Sequence, residues 1–146
     1  EGVEPGMGVI CTDGVVGVVN KVSENFCSVI SLLHKETIIS AKLKKKDYFG
    51  IVTWQGGDYE FATLSDIPRH VPLTKGDTVI TRASSGIFPE AVMLGYVEEF
   101  EIPPGENFYT IKLRLSTGFN RLTHVYVVRN ILKEEQKKLE EEFKQE

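Results

Sequence analysis

The chain carries one pattern twice: Gly-x-x-Val-Ile, then Gly-x-Val, then Asn-Phe. The first copy is Gly6, Val9, Ile10, Gly17, Val19, Asn25 and Phe26; the second is Gly76, Val79, Ile80, Gly95, Val97, Asn107 and Phe108. Tandem duplication of a β-patterned unit narrows the fold, because both copies must solve the same packing problem. A solenoid is excluded, since it needs about three stacked units of roughly 20–50 residues each. The repeat predicts two small, similar β subdomains. Glycines at 17 and 95 mark bulges or close strand crossings, the bends by which small barrels close.

Strand signals run through the chain. Met7–Cys11 leads through Asp13-Gly14 into Val15–Val22, and Phe26–Leu33 follows, a meander of short antiparallel strands. Thr37–Leu43, Tyr48–Trp54 and Tyr59–Leu64 come next, the last two joined by the glycine-bearing hairpin loop Gln55–Asp58. Ser65–Pro72 holds two prolines, which cannot donate to a ladder, and reads as the boundary between subdomains. Beyond it we expect strands at Thr78–Thr81, Ala91–Ile102, Phe108–Leu115 and Leu122–Val128, with a loop at Ala83–Glu90. The expected organisation is all-β: barrel-like antiparallel subdomains at about 1–66 and 67–130, with exchange of strands between them allowed, then a charged helical or disordered tail at 131–146. Tyr109, Ile111, Leu113 and Leu115 alternate with Thr110, Lys112 and Arg114, so one face of that strand is buried and the other wet. Val15, Val16, Val18 and Val19 are apolar on both faces, as in a strand covered on both sides.

A net charge of −4 argues against a nucleic-acid partner, because neutralising phosphates takes clustered Lys and Arg. The one basic cluster, Lys42, Lys44, Lys45 and Lys46, reads as a solvated connection between strands. Cys11 and Cys27 lack metal-ligand spacing and sit among β-branched residues, so they read as buried thiols, with a disulfide in an oxidising compartment as the alternative. No metal or cofactor is expected. No apolar run is long enough for a membrane-spanning helix, and the opening at Glu1 without a methionine reads as that of an excised fragment.

No residues converge on catalysis. His34, His70 and His124 are scattered, without a nearby nucleophile in sequence. Tandem β-barrels are also the plan of one class of serine protease, but Ser84-Ser85-Gly86 lacks the surrounding glycines of a nucleophile turn and reads as turn chemistry. Trp54, Phe88 and Pro89 lie at loop edges and are the candidate protein contacts, since exposed aromatics are enriched in interface hot spots. For Trp54 the competing role is plugging a barrel end. Phe88, within the long loop, is expected to touch a partner, so that its replacement weakens association without unfolding the chain.

Taken in order, Pro5–Ile10, Gly14–Val19, Ser23–Val29, Gly50–Gly56, Lys75–Thr81, Gly86–Pro89, Leu94–Val97 and Val125–Val128 resemble the extracytoplasmic domain of the MreC family of rod shape-determining proteins. The resemblance covers roughly residues 5–128 and departs at Arg82-Ala83, where the family has Ser-Gly, and at Ala91, where it has glycine. It implies a non-enzymatic scaffold of bacterial cell elongation, periplasmic and held to the inner membrane by an N-terminal helix that this fragment lacks. Implied partners are itself, as dimer or filament; the sidewall transpeptidase of the penicillin-binding class; and MreD and MreB through the full-length protein. Association would proceed by strand addition at sheet edges and by apolar loop residues. The alternatives are a two-barrel serine hydrolase-like domain and a glycan-binding domain.

Overall fold

β-branched and aromatic residues alternating with polar ones favour pleated, half-buried strands, and the described residues form ten of them. The structure is a computed structural model; it describes residues 2–82, 87–88 and 91–128. The strands are β1 (Gly8–Cys11), β2 (Gly14–Val22), β3 (Cys27–Ser31), β4 (Ile39–Leu43), β5 (Phe49–Thr53), β6 (Phe61–Ser65), β7 (Thr78–Thr81), β8 (Met93–Glu101), β9 (Thr110–Leu115) and β10 (Tyr126–Val128). All pairings are antiparallel. Strands β4-β5-β6-β9-β8-β7 close a six-stranded barrel, while β10-β1-β2-β3 form an open four-stranded sheet.

The duplication is real at the level of main-chain geometry. Gly6 and Gly76 both adopt positive φ, 89° and 93°, ahead of the first strand of each copy. Each donates its amide to the matching valine carbonyl, Val19 or Val97, at 2.8 Å. Val9 faces Gly17 and Val79 faces Gly95, and the register slips just after each pair, between Val9 and Ile10 and between Val79 and Ile80. A second slip follows Val19 in β2 and Val97 in β8. So β1-β2-β3 and β7-β8-β9 are one bulged three-stranded module used twice. The Asn-Phe element is out of register, because Gly17 pairs with Ser31 and Gly95 with Leu115, which sets Phe26 opposite Thr110 in the comparison rather than Phe108.

The two copies have different surroundings, and this corrects the expectation of two barrels. The second module is flanked by β4 on β7 and by β6 on β9, and β5 closes the circle. The first module gains β10 on β1, the place β4 takes on β7, while β3 ends the sheet. Barrel strands come from both sides of residue 66, and Ser65–Pro72 is not an exposed linker. Ile67 and Val71 are fully buried; Pro68 bridges Phe108, and the Tyr109 amide and hydroxyl donate to the Ile67 and Val71 carbonyls. The prolines interrupt the ladder while the apolar residues beside and between them fill the barrel.

The main core is the barrel interior, with Leu43, Val52, Leu64, Ile67, Val79, Leu94, Ile111 and Leu113, and it extends into the open sheet through Val15 and Leu32. Val9, Cys11, Val16 and Val19 form a second cluster on the sheet's other face, covered by Val3, Met7 and Phe119. Both faces of β2 are thus occupied, as its valines require. β9 shows the expected alternation, with Ile111, Leu113 and Leu115 inward. Of the lysine cluster, Lys42 lies in β4 and Lys44, Lys45 and Lys46 in the β4–β5 turn, where the Lys46 ammonium donates to the Pro72 carbonyl. The tail at 131–146 lies outside the described residues.

Ala91 ends the β7–β8 loop at φ 73°, a left-handed conformation that an alanine side chain disfavours and glycine does not. Its amide donates to the Thr81 carbonyl, so the turn is held in place. Ala91→Gly should therefore raise stability by about 1 kcal/mol, read as a higher midpoint in urea. An unchanged or lower midpoint would mean that the loop does not strain this residue.

Candidate interaction surface

Each copy of the module ends in a hairpin tip, and the two tips differ in what covers them. At the second, Phe100 stacks edge-on against Tyr109 at 5.6 Å, and the Arg69 amide donates to Asn107. The segment carrying Ile67 and Pro68 thus ties this tip to the barrel, while Phe108 remains 47% exposed. At the first tip, Ser23 closes the turn: its amide and hydroxyl both donate to the Phe26 carbonyl, at 2.7 and 3.1 Å. Phe26 itself is 80% exposed, with Val22 and Val29 exposed beside it. An apolar ring this bare on an ordered turn is the surface feature that most needs an explanation.

Cys27 opens β3 and is exposed, whereas Cys11 is buried; both are free thiols. The expectation of two buried thiols fails at Cys27, because no described strand covers the outer side of β3.

The other predicted contacts fall into three situations. Phe88 is 1% exposed and packs in the main core. A Cβ built on Gly8 of β1 would lie 2.5 Å from its ring carbons, so the ring fills the space left by that missing side chain. This corrects the reading of Phe88 as a direct contact: a large apolar ring is worth more buried than exposed. Trp54 is half-buried at the start of the β5–β6 hairpin, its indole N–H donating to the Asp58 carbonyl at 3.0 Å. Pro89 lies outside the described residues, as do Ser84 and Ser85.

Charged groups decorate the barrel wall rather than converge. Lys112 and Arg114 lie over the Phe61 ring at 4.2 and 4.8 Å, and Arg82 lies over Phe49 at 3.7 Å. The Arg114 guanidinium donates to Glu98 at 3.0 Å, a hydrogen bond that holds the Glu98 carboxyl below the usual carboxylate range. The three histidines are exposed and apart: His34 accepts from the Glu36 amide, His70 sits edge-on to Tyr48, and His124 lies beside Thr123. Among the described residues no group of three or more His, Cys, Asp or Glu could hold a metal ion. No helix among them is long and apolar enough to cross a membrane.

The model of the rod shape-determining protein MreC, barrel core, matches residues 1–129. The chain belongs to the MreC family. A cell shape-determining protein MreC from Listeria monocytogenes is 26% identical over 132 residues, covering 88% of this chain and 45% of that protein. One from Haemophilus influenzae is 27% identical over 128 residues, covering 88% of this chain. The chain spans 45% and 36% of these two relatives, less than half of either. A solved MreC structure from L. monocytogenes superposes with a TM-score of 0.82 at 26% identity, over 88% of this chain and 63% of that one. MreC in a Helicobacter pylori complex with penicillin-binding protein PBP2 superposes with a TM-score of 0.67 at 18% identity, over 86% and 78%. The major periplasmic domain of the cell shape-determining filament MreC gives 0.64 at 23% identity, over 80% and 72%. The MreC fold therefore accommodates one closed barrel beside an open sheet in this chain.

Proposed function

We propose that this chain is a periplasmic docking domain of the bacterial cell-elongation machinery, a non-enzymatic scaffold that binds copies of itself and a transpeptidase of the penicillin-binding class. The observation that carries the reading is membership of the MreC family over 129 residues, joined to a surface with exposed aromatics at two hairpin tips and a β3 edge that no described strand covers. The partner named for the H. pylori protein supports the transpeptidase, and the filament named for the periplasmic-domain structure supports self-association. In the full-length protein an N-terminal helix would anchor the domain to the inner membrane and bring it to MreD and MreB. Trp54 and Pro89 belong to the proposed contacts, together with Phe100 and Phe108. Phe88, buried in the core, is not among them.

Binding of the folded chain to the immobilised ectodomain of a penicillin-binding transpeptidase tests the reading. Saturable binding is expected, weakened about tenfold by Phe108→Asp, since a central aromatic contact is worth about 1.4 kcal/mol or more. A folded wild-type chain that fails to bind at any attainable concentration would remove the transpeptidase from the proposal.

A further inference from the structure

The hydrogen bonds of β3 show which of its main-chain groups have no partner among the described residues. Leu32 donates its amide to Val16, and Phe26 accepts from Ser23, so the even-numbered residues turn their main chain toward β2. In an antiparallel pair this alternates residue by residue, so Cys27, Val29 and Ser31 turn theirs outward. The Ser31 carbonyl accepts the Thr37 hydroxyl at 2.9 Å, which closes that end of the edge. The open stretch is Cys27 to Val29, flanked by the exposed Phe26.

In the second copy the same stretch is occupied. Register places Cys27 at the position of Ile111 and Val29 at that of Leu113, and those residues pair with Leu64 and Ala62 of β6. The module thus takes an antiparallel strand on this side when one is supplied. From Asn25 to Leu33 there is no charged residue and no proline, the two devices by which sheet edges repel their own kind. Phe26-Cys27-Ser28-Val29-Ile30 is also palindromic in character about Ser28: apolar faces apolar at each step when the segment is laid antiparallel on itself. A strand of other sequence would have no reason to share that symmetry.

We propose that the free edge of β3 pairs with β3 of a second copy about a two-fold axis at Ser28, joining two open sheets into one. The proposal rests on the self-association reading above and gives it a site. Cys27 then faces Val29 of the second copy in both directions, exchanging about four main-chain hydrogen bonds, and Phe26 packs on Ile30 of the second copy. Two short edges and two hairpin tips make a contact of the small, weak class.

Ser28 sits at a non-hydrogen-bonded position on the axis, where facing Cα atoms approach to about 4.5 Å, within reach of a disulfide. The chain carrying Cys27→Ser and Ser28→Cys should oxidise to a covalent dimer at least tenfold faster than one carrying Cys27→Ser and Thr12→Cys on the exposed β1–β2 turn. Adding Val29→Lys should abolish that difference, and in sedimentation velocity should shift the wild-type dimer to monomer. A wild-type chain that self-associates, with no preferential cross-link at position 28 and no response to Val29→Lys, would overturn the β3 pairing and leave self-association standing. A wild-type chain that stays monomeric at millimolar concentration would overturn both. So would a monomer whose transpeptidase binding Val29→Lys weakens, since the edge would then belong to that partner. Should Val29→Lys fail to fold, the cross-linking comparison decides alone.

Discussion

Phe88→Ala should cost about 3–5 kcal/mol of stability, the range for truncating a buried aromatic ring, rather than leave the fold intact. The ring is 1% exposed and joins the β7–β8 loop of the barrel to β1 of the open sheet. Truncation would open a cavity in the place where the two sheets share a core, and that shared core makes a single cooperative transition the expected behaviour. Gly8→Ala should also destabilise, because its Cβ would meet ring carbons Cδ1 and Cε1 at 2.5 Å and the Ile87 carbonyl at 2.9 Å. The two substitutions should be strongly coupled. With the ring gone, the alanine at position 8 has only the Ile87 carbonyl to avoid, so most of its cost disappears. Urea unfolding of the single and double variants measures this. Additivity within about 0.5 kcal/mol, or a Phe88→Ala variant as stable as wild type, would show that the ring does not pack on Gly8.

The strands were readable because local pattern determines them: each of the ten coincides with a run of alternating or β-branched residues between turn signals. The repeat was readable too, down to the valines and glycines that share register. The number of barrels was not, because closure depends on which distant strands pair. Nothing near Ile39 states that β4 will lie on β7, and nothing near Phe61 states that β6 will lie on β9. Prolines at 68 and 72 looked like a linker because they break ladders, yet Ile67 and Val71 between and beside them were the residues that mattered. The burial of Phe88 is hidden from the sequence for a related reason. A loop position suggested exposure, whereas the signal for burial lay eighty residues earlier in sequence, in a glycine within a β1 run that otherwise reads Val-Ile-Cys. The candidate surface was half legible. Strand addition at an edge was expected in general, but that the β3 edge is open follows only from the lack of a counterpart of β6 among the described strands.

Gly95→Ala should be more destabilising than Gly17→Ala, although the two glycines hold equivalent places. A Cβ at Gly95 would lie 2.1 Å from the Arg114 carbonyl oxygen, and one at Gly17 would lie 2.2 Å from that of Ile30. Neither neighbour is a flexible side-chain end, so main chain must move in both cases. In the barrel β9 is held by β8 on one side and β6 on the other, and the circle is closed, so separating β8 from β9 strains the whole ring. In the open sheet β3 is held by β2 alone among the described strands and can swing outward. Gly95→Ala should therefore cost at or above the upper end of the roughly 1–3 kcal/mol typical of an overpacked interior, and Gly17→Ala clearly less. Urea midpoints of the two variants, at equal protein concentration, decide the order. If Gly17→Ala proves the costlier at low concentration, where copies are apart, then β3 is clamped within the monomer by chain outside the described residues. A larger Gly17→Ala cost only at high concentration would instead mean that a second copy provides the clamp. The same pair of glycines thus reports whether the first module stays open or is completed from outside.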